Sequence, residues 1–230
     1  MSVRRAGRRK RRTAIIALAT CALVVGSLAV FYLLPHQPKP IILYVDQGNG
    51  AVNASNFKPM LSFASGHGFN TVFFQVYRAG VLLFNGTELA SFASQAHQRD
   101  LKIFFALYLT NSTQTIPGAV MHQGEDGVSL DMSGLPSAVQ GALLQDLSSS
   151  CSCQTAVTTT DMASPLRPDR LILETYGDAA RPYVRQGIVS SVGVFATTSQ
   201  QDYQAQFQYD LNHSDGVMVF DYAGLLRSGY

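Results

Sequence analysis

Residues 41–221 alternate between short apolar runs rich in β-branched residues and longer segments whose apolar residues recur at helical spacing. The short runs are almost continuously apolar, which is typical of strands buried on both faces. Parallel neighbours in such a sheet are joined by crossover segments, usually helices. We therefore predict strands at 41–45, 70–76, 101–107, 128–131, 155–160, 170–174, 191–196 and 216–221, and helices at 56–67, 87–99, 136–147 and 199–211.

The strand count favours an α/β fold in the form of a compact or reduced TIM (β/α)8 barrel over residues 41–230. The segment between the predicted strands at 155–160 and 170–174 is too short for a crossover helix, so this unit is reduced or its first strand is misplaced. An open doubly wound sheet is the alternative. No glycine-rich phosphate-binding motif follows any predicted strand, so the sequence does not indicate nucleotide binding.

A second feature precedes the predicted barrel. Residues 13–34 carry no charge and follow seven basic residues, and a helix of these 22 residues would be about 33 Å long. That length crosses a hydrocarbon core of about 30 Å, and flanking basic residues favour the cytoplasmic side. We predict a basic cytoplasmic tail (1–12), one transmembrane helix (13–34), a linker (35–40) and an external domain (41–230) of a single-pass cell-membrane protein.

Three other interpretations of this segment remain open: a cleaved signal peptide, a lipoprotein signal at Cys21, and a twin-arginine signal at Arg11 and Arg12. The long apolar run ends in bulky residues, which disfavours cleavage there.

The tail also explains the basic balance of the whole chain. Of 17 Lys and Arg residues seven lie in the tail, which leaves ten against 15 Asp and Glu. The external domain is acidic, so no nucleic-acid partner is expected. Four Asn-x-Ser/Thr sequons would be potential glycan acceptors of an external glycoprotein; they begin at Asn53, Asn85, Asn111 and Asn212.

Cys151 and Cys153 form a Cys-Ser-Cys segment without further Cys or His residues at zinc-site spacing. We predict neither a metal site nor a cofactor, and leave open a small disulfide ring or two free thiols.

Acidic residues fall at the ends of the predicted strands. In a barrel the carboxyl ends of the strands converge on one mouth, where catalytic groups lie. The acids are Asp46, Asp131, Asp161, Glu174 and Asp221. Polar and aromatic residues at the same ends suit a sugar-binding surface, and they are Gln75, Tyr77, Arg78, Tyr108, Tyr176 and Tyr222.

Three segments resemble glycoside-hydrolase-like (β/α)8 barrels. Residues 68–76 (GFNTVFFQV) and 96–103 (AHQRDLKI) are similar to the second and third units of these families, although Asp100 stands where they often have Gly. Residues 215–222 (DGVMVFDY) resemble a strand that usually comes earlier in the barrel. These motifs partly encode barrel geometry, so they speak for the fold more than for an activity.

The resemblance implies paired-carboxylate chemistry on a carbohydrate. Asp131, at the end of the fourth barrel strand, is then the nucleophile or stabilising carboxylate, and Glu174, with Asp161 as second choice, is the general acid. Asp46 and Asp221 would bind substrate hydroxyls. Each acid also has a structural interpretation, because an Asp after a strand often closes a turn or caps a helix.

Two functions follow. The first is a membrane-anchored, outward-facing glycoside hydrolase. The second is a barrel without catalysis that serves as a carbohydrate-binding or envelope-assembly module. The sequence does not specify an oligomeric state.

Overall fold

The computed structural model describes residues 38–49, 52–110, 115–132, 134–160, 166–195 and 197–229. The predicted tail and transmembrane helix lie outside these ranges. Within them, no helix has the length and hydropathy that a membrane span requires.

Within the described ranges, nine strands form one sheet. Eight of them are parallel and the sheet closes on itself, because β1 pairs with β2 on one side and with β9 on the other. This closure confirms the predicted barrel and rules out the open sheet. The strands are β1 (Ile41–Val45), β2 (Thr71–Arg78), β3 (Val81–Leu82), β4 (Lys102–Tyr108), β5 (Gly127–Asp131), β6 (Gln154–Thr159), β7 (Arg170–Leu173), β8 (Val189–Gly193) and β9 (Gly216–Phe220).

The short strand β3 is not a barrel strand. It folds back on β2 as an antiparallel hairpin, which the sequence analysis did not predict. Val81 is 59% exposed, and such a two-residue edge strand lacks the long apolar pattern that marked the others.

Helices cover the outside of the barrel. Four lie within a few residues of their predicted positions, and a fifth follows β9. They are α1 (Phe57–Gly66), α2 (Gly86–His97), α3 (Ser137–Ser150), α4 (Gln200–His213) and α5 (Tyr222–Arg227). The connections after β6 and β7 are reduced. The described part of the first holds no helix, and the second holds only a 3-10 helix at Asp178–Tyr183.

The barrel separates two apolar cores, because successive residues of a strand point to opposite faces. The outer core lies between strands and helices, and Phe74 of β2 stacks there on Phe92 of α2 with ring centroids 4.1 Å apart. The inner core fills the barrel with side chains such as Phe73 and Phe104, which stack at 4.8 Å. The inner positions therefore fix which strand-end residues face the mouth.

Candidate functional site

The strand alternation brings several predicted residues to the mouth. Tyr44, Phe73, Ala106, Ile172 and Met218 belong to the inner core, so the residue two positions after each also faces inward. These following residues are Asp46, Gln75, Tyr108, Glu174 and Phe220.

Asp131 reaches the same place from β5. Its neighbours Val128 and Leu130 lie in the outer core, so Ser129 and Asp131 face inward. The strand registers of a tilted barrel place four residues from alternate strands in one layer at the mouth. That layer consists of Gln75, Asp131, Glu174 and Phe220.

The layer below contains a buried phenol. Tyr44 is 2% exposed, and the amide nitrogen Nε2 of Gln75 donates to its hydroxyl at 3.4 Å. Burial raises the pKa of Tyr44 well above its ordinary value, and the charges of Asp131, Asp46 and Glu174 raise it further. These three acids face inward at the same end of the barrel as Tyr44.

A second tyrosine contacts one carboxylate of the mouth layer. The hydroxyl of Tyr176 donates to Oε1 of Glu174 at 2.9 Å. Burial is the main reason that the pKa of Tyr176 lies above its usual range. The charge and hydrogen bond of Glu174 raise this pKa further, and the charge of Asp131 adds a smaller increase. Asp131, Glu174, Tyr44 and Tyr176 therefore form one cluster, here called the carboxylate cluster.

Asp46 has a different environment from Asp131 and Glu174. Arg78 donates to Oδ1 of Asp46 at 2.8 Å and to Oε1 of Gln75 at 3.3 Å. The guanidinium carbon also lies 5.3 Å from the ring centroid of Tyr108. The backbone N–H of Gly48 also donates to Oδ1 of Asp46, at 3.0 Å. Arg78 thus joins a group of residues, here called the rim, by hydrogen bonds and one cation–π contact. The rim consists of Asp46, Gln75, Arg78 and Tyr108, and within it Asp46 is paired with a cation.

Three predicted binding residues are not brought to the mouth. In β2 an irregularity between Gln75 and Tyr77 turns the ring of Tyr77 into the outer core. Asp221 is buried and accepts the N–H of Gly224 at 2.8 Å as the cap of α5. Tyr222 packs edge-on against Phe63 of α1 with ring centroids 5.2 Å apart, and burial raises its pKa. The structure thus places these residues in the helical layer.

Asp161, the second choice for the acid, lies outside the described residues. Its relation to the carboxylate cluster stays a prediction.

The buried polar side chains inside the barrel, beneath the mouth, were not predicted from the sequence. Ser129, Thr158 and Ser191 are at most 2% exposed, and their hydroxyls have no hydrogen-bond partner in the part of the chain that the structure describes. Tyr44 belongs to the same inner surface. The sequence does contain a signal for these residues, because strand residues two positions apart face the same side. Tyr44 and Ser129 precede Asp46 and Asp131 by two residues.

The cysteines lie near the opposite end of the barrel and form a disulfide between Cys151 and Cys153. One of the two alternatives left open, the disulfide ring, is therefore observed. A carboxylate oxygen of Glu125 lies within 4.8 Å of both sulfurs, which gives the one cluster of metal-ligand type among the described residues. The sulfurs are bonded to each other and are not thiolates, the form that binds metals.

Solved structures with a similar fold include enzymes that act on sugars. A GH113 β-mannanase from Alicyclobacillus acidocaldarius is 8% identical with a TM-score of 0.53, and the match covers 79% of this chain and 86% of that one. An O-GlcNAc hydrolase mutant from Thermobaculum terrenum is 10% identical with a TM-score of 0.50, covering 80% and 54%. A rubisco-like protein from Burkholderia fungorum is 10% identical with the same score, covering 86% and 61%.

This chain therefore spans less than two thirds of the length of two of these three proteins. No family model matches it, and no curated protein matches it in sequence. At these identities the similarity establishes a TIM-barrel fold of the kind that glycoside hydrolases use, and it establishes the fold alone.

Proposed function

We propose that this protein is a membrane-anchored, outward-facing glycoside hydrolase in which Asp131 and Glu174 are the paired carboxylates. The observation that carries the proposal is that both acids lie in the inward-facing layer at the carboxyl ends of the barrel strands, where Tyr176 donates a hydrogen bond to Glu174. Catalytic groups of TIM-barrel enzymes lie at this end. The fold that the chain shares with a β-mannanase and an O-GlcNAc hydrolase supports a carbohydrate substrate.

Glycoside hydrolysis needs one carboxylic acid and one carboxylate across the scissile bond. Glu174 would protonate the leaving oxygen, while Asp131 would attack the anomeric carbon or activate a water molecule that does so. The hydrogen bond from Tyr176 to Oε1 fixes the orientation of the Glu174 carboxyl group. The raised pKa of Tyr44 keeps its hydroxyl protonated at neutral pH, so that it can donate to a carboxylate or a substrate oxygen.

The rim would bind the sugar rather than perform chemistry. Asp46 is held by Arg78, whose guanidinium occupies Oδ1 at 2.8 Å. Its remaining acceptor positions and the ring of Tyr108 suit hydroxyl groups and the apolar face of a sugar.

The decisive experiment is hydrolysis of a panel of polysaccharides and oligosaccharides by the purified full-length protein, measured as released reducing ends. We expect Glu174→Gln and Asp131→Asn to lower the rate by about 10²- to 10⁴-fold, the usual contribution of such groups. Asp100→Asn is the matched control, because Asp100 is exposed at the opposite end of the barrel and its positive φ of 56° is one that Asn tolerates.

Hydrolysis that survives both substitutions would refute the assigned pair. Glycan binding without hydrolysis by the wild-type protein would instead favour a carbohydrate-binding barrel that lacks catalysis.

The anchored, external location rests on the uncharged segment 13–34 and the basic residues before it. The side chains of Asn53, Asn85 and Asn212 are exposed, as glycan acceptors must be. Added protease on intact cells should digest the domain and leave the tail protected. Protection of the domain until the cells are lysed would refute this orientation.

A further inference from the structure

A pocket of about 510 Å³ lies beside the carboxylate cluster, between the ends of β7 and β8 and the first turns of α4. Its size falls within the usual range of about 300 to 1,000 Å³ for small-molecule sites. The side chains that matter for its chemistry are Tyr176, Phe195, Thr198, Asp202, Tyr203 and Gln206.

One wall of the pocket is aromatic and exposed. The rings of Tyr176 and Phe195 meet edge to face with centroids 5.2 Å apart. Phe195 is 43% exposed, although phenylalanines such as Phe73 and Phe104 are fully buried. An aromatic face that stays in solvent beside a pocket has no role in the core, and it fits the apolar C–H face of a sugar ring.

The floor of the pocket is polar and fixed in orientation. Gln206 is 8% exposed, and its Nε2 donates to Oδ1 of Asp210 at 2.7 Å. Since a carboxylate only accepts hydrogen bonds, the NH₂ of Gln206 must face Asp210. The carbonyl oxygen of Gln206 is then the part of the amide that serves the pocket, as an acceptor for a hydroxyl group.

The charges of the pocket favour a neutral ligand. Arg181 and Asp202 both line it and have opposite signs. Arg181 lies over the ring of Tyr209 at 5.2 Å, and Oδ2 of Asp202 accepts the hydroxyl of Ser199 at 2.6 Å. The pocket therefore offers no net charge to select a phosphate or a uronic acid.

Tyr176 connects this pocket to the mouth. Its hydroxyl binds Glu174 in the carboxylate cluster, while its ring forms part of the pocket wall. A chain that passes over Tyr176 would occupy both places. We propose that the pocket is a subsite for one neutral pyranose unit of an oligosaccharide whose scissile bond lies at Asp131 and Glu174. This inference rests on the proposed function.

The test compares chain lengths. Binding of neutral manno-, gluco- and N-acetylglucosamine oligosaccharides and of uronic-acid oligosaccharides, from disaccharides to hexasaccharides, is measured by calorimetry. The protein is full-length Glu174→Gln, so that no hydrolysis intervenes. With the pocket intact, affinity should rise as the chain becomes long enough to reach it. Adding Phe195→Ala should weaken the binding of the longer ligands about tenfold and that of the disaccharides less than about twofold. This loss is expected for the removal of one aromatic side chain that the ligand covers.

Leu226→Ala is the matched control, because Leu226 is another exposed apolar side chain, 48% exposed, on α5. It should leave every affinity unchanged. Equal weakening of short and long ligands by Phe195→Ala, no weakening at all, tighter binding of uronic-acid oligosaccharides, or no binding of any oligosaccharide would each overturn the subsite.

The two proposals fail separately. Hydrolysis that persists in Glu174→Gln and Asp131→Asn removes the catalytic assignment. Length-dependent binding that is insensitive to Phe195→Ala removes the subsite while the catalytic assignment stands.

Discussion

Asp210 gives a prediction whose size follows from the structure. Its side chain, on the inner face of α4, is fully buried. Gln206 donates to Oδ1, and Oδ2 has no hydrogen-bond partner among the described residues. Burial raises the pKa of Asp210 from 3.8 to about 6, although the nearby hydroxyl of Ser190, the hydrogen bond from Gln206 and the charges of Arg181 and His213 oppose the rise.

The sign follows from proton linkage. A folded-state pKa above the unfolded value means that the folded protein holds this proton more tightly. Stability from this group is therefore full below about pH 4 and is lost as the pH rises through about 6. A rise from 3.8 to about 6 corresponds to about 3 kcal/mol, since each pKa unit is worth about 1.4 kcal/mol.

Asp210→Asn removes this titration and keeps an oxygen that can accept the Gln206 hydrogen bond. We expect the free energy of unfolding of the variant minus that of wild type to be about 2 to 3 kcal/mol larger at pH 7.5 than at about pH 4, because the buried charge destabilises only the wild type at the higher pH. Comparing two pH values cancels any pH-independent packing cost of the amide. The assay is urea unfolding of the full-length protein, followed by near- and far-UV circular dichroism because the chain has no Trp.

Asp146→Asn is the control, since Asp146 is an exposed residue of α3, and it should leave the pH dependence as in wild type. If Asp210→Asn and wild type lose stability in parallel between the two pH values, burial does not control this carboxyl and the reasoning is wrong.

Two further predictions concern the two cores. Phe74→Ala should destabilise the protein by about 3–5 kcal/mol in urea unfolding, because Phe74 is fully buried and contacts the rings of Phe57, Phe84 and Phe92. Phe195→Ala, at an exposed position, should destabilise it by less than about 1 kcal/mol. Equal losses of stability in the two variants would contradict the packing argument. Tyr44→Phe should lower kcat/KM for hydrolysis about tenfold or more. It should change the free energy of unfolding by less than about 1.5 kcal/mol, because it removes only a hydroxyl that accepts a 3.4 Å hydrogen bond. An unchanged kcat/KM would exclude that hydroxyl from the reaction.

The barrel was predictable because its strands are buried on both faces. A run such as residues 103–107 is apolar throughout, so the sequence alone indicates a strand that is buried on both faces. The hairpin strand β3 carries no such pattern. Its two residues are exposed, and its pairing with β2 depends on a two-residue hairpin turn at Ala79 and Gly80, which both have positive φ.

The side chains at the mouth were predictable only where strand phase could be read without interruption. Asp131 and Glu174 continue the inward positions of regular strands, and the structure brings both to the carboxylate cluster. Tyr77 was placed at the mouth from its position at a strand end. The irregularity in β2 shifts the phase by one residue there, and a one-residue shift moves a side chain to the other face.

Phase also explains why Tyr44 was overlooked and why it matters. Within an apolar run a tyrosine is indistinguishable from core packing, and its ring does pack against Phe220 at 5.2 Å in the inner core. Its hydroxyl accepts a hydrogen bond from Gln75 of the mouth layer, so the phenol lies directly beneath that layer. Burial, followed by the charges of Asp131, Asp46 and Glu174, raises the pKa of Tyr44, so the phenol stays neutral and can donate a hydrogen bond. A residue that sequence patterning assigns to the core is therefore placed where the proposed reaction would use a neutral donor.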